Sequence, residues 1–141
     1  MNSNTQEACE GSGPDERLVV AVSGGRPSDQ HVLYELLDSY EALAHRTGRR
    51  MVVVQSGWMG ADGMTREWAR LNGIECISEQ AHFGLEGRAG GVRRNRMIID
   101  HRPEACILVP GGRGVTDLAA RCIAVGIRVV WLRGVMPFGR E

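Results

Sequence analysis

The chain has 141 residues, 43% of them hydrophobic, and a formal net charge of zero. That is about one domain with enough apolar content for a core, and it carries no overall charge to draw it to nucleic acid or an anionic membrane. All 17 basic residues are arginine, which excludes a P-loop lysine, a Schiff-base lysine and a lysine general base, and favours planar, bidentate contacts to phosphate or carboxylate.

Residues 1–16 are polar and acidic, with glycine and proline, and read as a disordered tail unlike a signal peptide. Leu18 to Val22 predict a first strand, ending at Ser23-Gly24-Gly25-Arg26. Asp29 then suits the N-cap of a helix carrying Val32, Leu33, Leu36, Leu37, Tyr40, Leu43 and Ala44, stopped by Gly48. A second strand, Met51 to Val54, leads into the turn Gln55-Ser56-Gly57-Trp58-Met59-Gly60-Ala61-Asp62. Met64, Trp68 and Leu71 space out the next helix, and Asn72-Gly73 ends it. Ile74 to Ile77 form a weaker third strand, and 78–88 a loop containing His82. A basic helix covers about 89–100 and is closed by Pro103. The fourth strand is Ala105 to Val109. The last helix carries Val115, Leu118, Ala119, Cys122 and Ile123 on one face and ends at Gly126. Ile127 to Leu132 are the fifth strand, so the domain spans 17–133 and 134–141 form a C-terminal tail.

Near-continuous apolar strands alternating with helices predict an α/β fold, a doubly wound parallel sheet of about five strands with helices on both faces. In such sheets ligands sit beyond the carboxyl ends of the strands, where the strand order reverses. Three strands end in glycine-rich turns: Gly24-Gly25, Gly57 to Gly63, and Gly111-Gly112-Arg113-Gly114. A single such turn is explained equally well as a tight strand-to-helix connection. Three opening onto one edge point to an anion held by bare backbone amides and a helix dipole.

Arg88, Arg93, Arg94, Arg96 and Arg102 crowd the basic helix, relieved by Asp100. One or two of them are expected to hold phosphate and the others to be solvated. Zero net charge and the lack of interleaved aromatics argue against a nucleic-acid partner. Cys9, Cys76, Cys106 and Cys122 have no CxxC spacing, which implies free thiols in a reducing compartment. His31, His45, His82 and His101 have no metal-ligand spacing. Neither a metal nor a cofactor is expected. No apolar run approaches the roughly 18 residues needed to span a membrane, and a cytoplasmic location is expected. Trp68 and Trp131 read as core. Trp58 lies inside a glycine turn, where stacking on a base and packing on a subunit partner are both open. Asp62 reads as a helix cap or an acceptor for a ribose hydroxyl, with the cap favoured.

Gly24-Gly25-Arg26, Gly60-Ala61-Asp62 with Trp68-Ala69, Arg94-Asn95, and Pro110-Gly111-Gly112-Arg113-Gly114 resemble the YspA-like, cpYpsA-related branch of the SLOG superfamily over roughly residues 18–132. Lonely Guy phosphoribohydrolases and DprA-type proteins are related. The resemblance implies a Rossmann-like fold, a nucleotide or nucleotide-derived ligand, and a homodimer or larger homo-oligomer. Two positions depart from the Lonely Guy pattern PGGxGTxxE: Val115 stands where threonine is usual and Leu118 where the glutamate is usual, with Thr116 and Asp117 one place out of step. In the second turn the branch's arginine is missing, and either Arg93 or Arg94 matches the arginine of the basic helix.

The ligand contacts expected are Gly24, Gly25, Arg26, Ser56, Gly57, Trp58 and Asp62 from the first two turns. Arg93, Arg94 and Asn95 join them from the basic helix, and Gly111, Gly112, Arg113, Gly114, Val115 and Thr116 from the last turn. The function expected is nucleotide binding by a sensor or sequestering domain. The alternative is a nucleotide N-glycosidase with Asp117 and Arg94 as its catalytic pair.

Overall fold

In the computed structural model, which describes residues 16–81, 87–111 and 114–135, strand β1 (Arg17–Gly24) is buried from Leu18 onward. A strand with no polar face must be covered on both sides. Leu18, Val20 and Val22 enter one apolar cluster, and Val19 and Ala21 another. Along the chain follow α1 (Gln30–Arg46), β2 (Arg50–Gln55), α2 (Gly60–Asn72), β3 (Glu75–Ser78), α3 (Arg88–Asp100), β4 (Ala105–Val109), α4 (Val115–Ala124) and β5 (Arg128–Trp131).

The strand order is β3-β2-β1-β4-β5, with every pair parallel. Two crossovers step outward from β1; the chain then returns past β1 and steps outward on the other flank. Right-handed crossovers in opposite directions put helices on opposite faces. Leu33 and Leu37 of α1 pack with Trp68 and Ala69 of α2 in the first cluster. Ile98 of α3 packs with Val115, Leu118, Ala119 and Cys122 of α4 in the second. This is the doubly wound α/β sheet expected, and its order reverses between β1 and β4. Asp29 caps α1 as expected, accepting from the His31 amide at 2.9 Å. Cys76, Cys106 and Cys122 are free thiols, the last two buried in the second cluster. Cys9 lies outside the described residues. Among those residues no helix is long and apolar enough to cross a membrane.

Trp131, expected in the core, is 49% exposed, and of the apolar residues placed at helical spacing Val32 is 40%, Leu71 68% and Ile123 70% exposed. On α2 the buried face centres between Trp68 and Ala69, about 120° of helical rotation from Leu71. Ile123 lies about 80° off the buried face of α4. Trp131 belongs to β5, an edge strand with one flank open. Leu71→Gln is therefore expected to change the unfolding free energy by no more than about 0.5 kcal/mol. Truncating the fully buried Leu33 to alanine is expected to cost about 2–5 kcal/mol. Urea unfolding midpoints compare the two.

After β5 the chain turns back on the segment that follows β1. The Ser28 amide donates to Arg133 O and the Val135 amide to Arg26 O, each at 2.9 Å, with Pro27 and Gly134 bridged between them. Gly134 lies against the turn after β4, where an added Cβ would come within 3.1 Å of Pro110 O.

Candidate functional site

The turns after β1, β2 and β4 meet at the carboxyl edge of the sheet. The Gly25 amide donates to Val109 O and the Ala61 amide to Gly25 O, both at 3.0 Å. Gly24 has φ +128°, and a Cβ built on it would stand 1.9 Å from Val109 O. One on Gly25 would lie 2.5 Å from Pro110 O, and one on Gly60 2.6 Å from the Gly25 carbonyl carbon. These glycines thus let three stretches of backbone touch, a nearer reason for them than the approach of a ligand.

Asp62 is fully buried where β1 and β2 end. Its Oδ1 accepts from the Gly24 amide at 3.1 Å and its Oδ2 from the Ser56 amide at 2.6 Å. The Ser56 hydroxyl also donates to Oδ2 and lies 3.1 Å from the Ser23 hydroxyl. Burial pushes the carboxyl above its ordinary value, against the pull of the bonds from Ser56 and Gly24. The expected helix cap is corrected here: Met59 is the N-cap of α2 and makes no side-chain cap bond. Asp62 lies inside the helix and clamps two strand ends together.

Gly114, at φ +78°, precedes α4 with no side-chain cap. The amides of a first helical turn have no intrahelical partner and point out of the helix end. Beneath this turn lie Arg94 and Asn95 of α3, each 1% exposed. Arg94 Nε donates to Asn95 Oδ1 at 2.8 Å. Asn95 Nδ2 donates to Gly114 O at 2.9 Å and to Asp117 Oδ2 at 3.0 Å. A Cβ at Gly114 would stand 2.8 Å from Arg94 Nη2, so glycine is required for this packing. Burial lowers the Arg94 pKa while Asp62 and Asp117 hold it up, and a guanidinium stays charged in proteins. Partial burial opposes ionisation of Asp117. Bonds from Arg121 (Nε to Oδ2, 2.7 Å) and Asn95, with attraction to Arg121 and Arg94, outweigh it and hold the carboxyl below its ordinary value.

Of the expected site residues, Gly24, Gly25, Arg26, Trp58 and Gly111 line one cleft of about 560 Å³. Ser56 belongs to the Asp62 clamp, and Gly57 packs against Gln80. Arg94 and Asn95 lie under the last turn. Val115 faces the core and Thr116 is exposed. Arg93 is exposed, and it borders a separate cleft with Ser78, Glu79 and Gln80. Gly112, Arg113 and His82 lie outside the described residues. Sequence reasoning missed Tyr34, Met64 and Glu67 on the wall of the first cleft. For α2 the signal was available: Gly60, Gly63, Met64 and Glu67 recur at helical spacing on a second face, which Met64 joins to the first apolar cluster. Among the described residues no cluster of three metal-ligating side chains occurs.

An open parallel sheet in this order, with its turns crowded at the switch in strand order, defines a Rossmann-like α/β protein. The chain belongs to the YspA, cpYpsA-related SLOG family, whose model matches residues 18–83. It is similar to the Gene 61 protein of Mycobacterium phage D29, 33% identical over 84 residues, covering 54% of this chain and 67% of the phage protein. No solved structure matches the chain. The family match takes in the β1 turn and the Asp62 clamp; Arg94, Asn95 and Gly114 lie beyond it.

Proposed function

We propose that the chain binds a nucleotide or nucleotide-derived ligand at the carboxyl edge of the sheet and acts as a sensing or sequestering domain. The observation that carries this reading is the uncapped start of α4 at the switch in strand order, beside the turns of β1 and β2. The starts of α1 and α2 each have a partner within the chain. Asp29 caps α1, and Gly25 O accepts from the Ala61 amide in the first turn of α2. The amides at the start of α4 remain for an anion, with the helix dipole adding to them. In this reading Arg26, Gly111, Gly114 and Thr116 contact the ligand's phosphate with Gly112 and Arg113, while Ser56, Asp62, Arg94 and Asn95 brace the turns.

A hydrolytic reading has one observation in its favour: Asn95 joins Arg94 to an Asp117 held in its ionised form. Leu118, at the position where Lonely Guy enzymes carry glutamate, is fully buried in the core. Titration calorimetry against AMP, ADP-ribose, NAD and cyclic dinucleotides tests binding. At least one is expected to give heat, and a nucleoside is expected to bind at least about tenfold more weakly than its monophosphate, a difference near 1.4 kcal/mol. Absence of heat from all of them with folded protein overturns the reading. Release of free base from a nucleoside monophosphate, abolished by Asp117→Asn, replaces it with the hydrolytic one.

A further inference from the structure

We propose that the cleft between α1 and α2 seats the planar heterocycle of that ligand, with the indole of Trp58 as its stacking face. The inference rests on the nucleotide reading and extends it to the other end of the molecule bound. Trp58 stands in the turn after β2 with 38% of its surface exposed, followed by Met59 at 83%. Large apolar side chains on a turn lose solvation free energy unless something covers them.

The cleft beside them has a volume of about 560 Å³, within the roughly 300–1,000 Å³ of small-molecule sites. Tyr34 and Met64 share its wall with Trp58, so aromatic and thioether surfaces border the same space. That surface suits a flat π system, because rings stack on indole and thioethers make favourable contacts with ring edges. Gly24, Gly25 and Gly111 also line the cleft, which makes it continuous with the turns proposed to hold phosphate. Among the described residues of its wall Arg26 is the single cation, so a second run of phosphates is poorly matched there. Gln30, at the rim, brings a hydrogen-bond donor and an acceptor to the edge of a base.

The test follows tryptophan fluorescence and calorimetric heat while the full chain is titrated with AMP, GMP, CMP, UMP, adenosine and ribose 5-phosphate. At least one monophosphate is expected to quench Trp58 and to bind about tenfold or more tighter than ribose 5-phosphate, because only the monophosphates bring a base to stack on the indole. Trp58→Ala should remove that advantage. Trp58→Phe, which keeps a ring, should keep most of the affinity and lose the quench. Circular dichroism and the emission of the buried Trp68 report whether each variant is folded.

If ribose 5-phosphate binds as well as every monophosphate, or folded Trp58→Ala matches the wild type, the heterocycle seat is overturned while the phosphate reading stands. If adenosine binds as tightly as AMP and both depend on Trp58, the seat is supported and the phosphate reading falls. If no probe binds the folded wild type, both are overturned.

Discussion

Gly24→Ala is expected to lower the unfolding free energy by about 3–5 kcal/mol, combining a strained backbone with an overpacked contact. The new methyl would have to occupy the position of Val109 O, 1.9 Å from where its carbon belongs, at a φ of +128° that side chains of L-residues rarely adopt. Neither cost is relieved by a rotamer change, because the obstacle is the carbonyl of the neighbouring strand. Gly48→Ala is the matched control. Its φ of +67° also lies in the left-handed region, but nothing stands within 4 Å of the added carbon. Its cost should stay near the ~1–2 kcal/mol of placing an ordinary residue there. Urea unfolding of the two variants decides the matter. Equal midpoints would mean that the turns after β1 and β4 do not approach as closely as described.

Asp62→Ala should be comparably severe, at about 3–5 kcal/mol. It leaves the Gly24 and Ser56 amides buried without their acceptor, at roughly 1–3 kcal/mol each before relaxation, and the Ser56 hydroxyl with Ser23 as its remaining partner. Asp62→Asn should cost less but not be neutral. One backbone amide donates to each carboxylate oxygen, so the amide NH2 of asparagine must face a donor.

The two residues also differ in pH dependence. The folded state holds the Asp62 proton more tightly than the unfolded chain, since burial raises the carboxyl above its ordinary value of 3.8. The stability this proton contributes is complete below that ordinary value and is lost as pH rises through the raised one. Asparagine has no such proton. The stability gap between wild type and Asp62→Asn should therefore narrow as pH rises from about 4 toward neutrality. Asp117 works in the opposite sense. Its lowered carboxyl contributes stability above its ordinary value, and that contribution fades as pH falls through the lowered one. It is present in both proteins and cancels in the comparison. A gap independent of pH would mean that Asp62 is not desolvated by its clamp.

The layered fold was legible because it depends on local patterns. Leu18 to Val22, Met51 to Val54 and Ala105 to Val109 are apolar throughout, which marks strands covered on both faces, and Asp29 announces the helix it caps. The exposure of Trp131 was not legible, because an edge position depends on strand order and nothing in Arg128–Trp131 marks an open flank. Arg93 and Arg94 could not be separated along the chain. They differ by about 100° on a helix, and only the packing of α3 under Gly114 decides which is buried. Asp62 misled for a related reason. An acid near a helix start looks the same whether it caps its own helix or reaches the amides of two strands, and the difference lies in Gly24, far away in sequence. The spacing of Gly60, Gly63, Met64 and Glu67 marked a second face of α2, but that Tyr34 stands opposite it was not legible, since this requires knowing that α1 and α2 share one face of the sheet.

The backward pairing of residues 133–135 with 26–28 has a consequence for how the molecule is made. The first strand leaves the ribosome long before the segment that fastens its following turn. Until Arg133 and Val135 emerge, the loop after β1 lacks its outer partner, and β1 itself waits for β4 to fill its open flank. A nascent chain halted before β5 therefore exposes a half-built rim, and the carboxyl edge of the sheet is the part of the domain completed last.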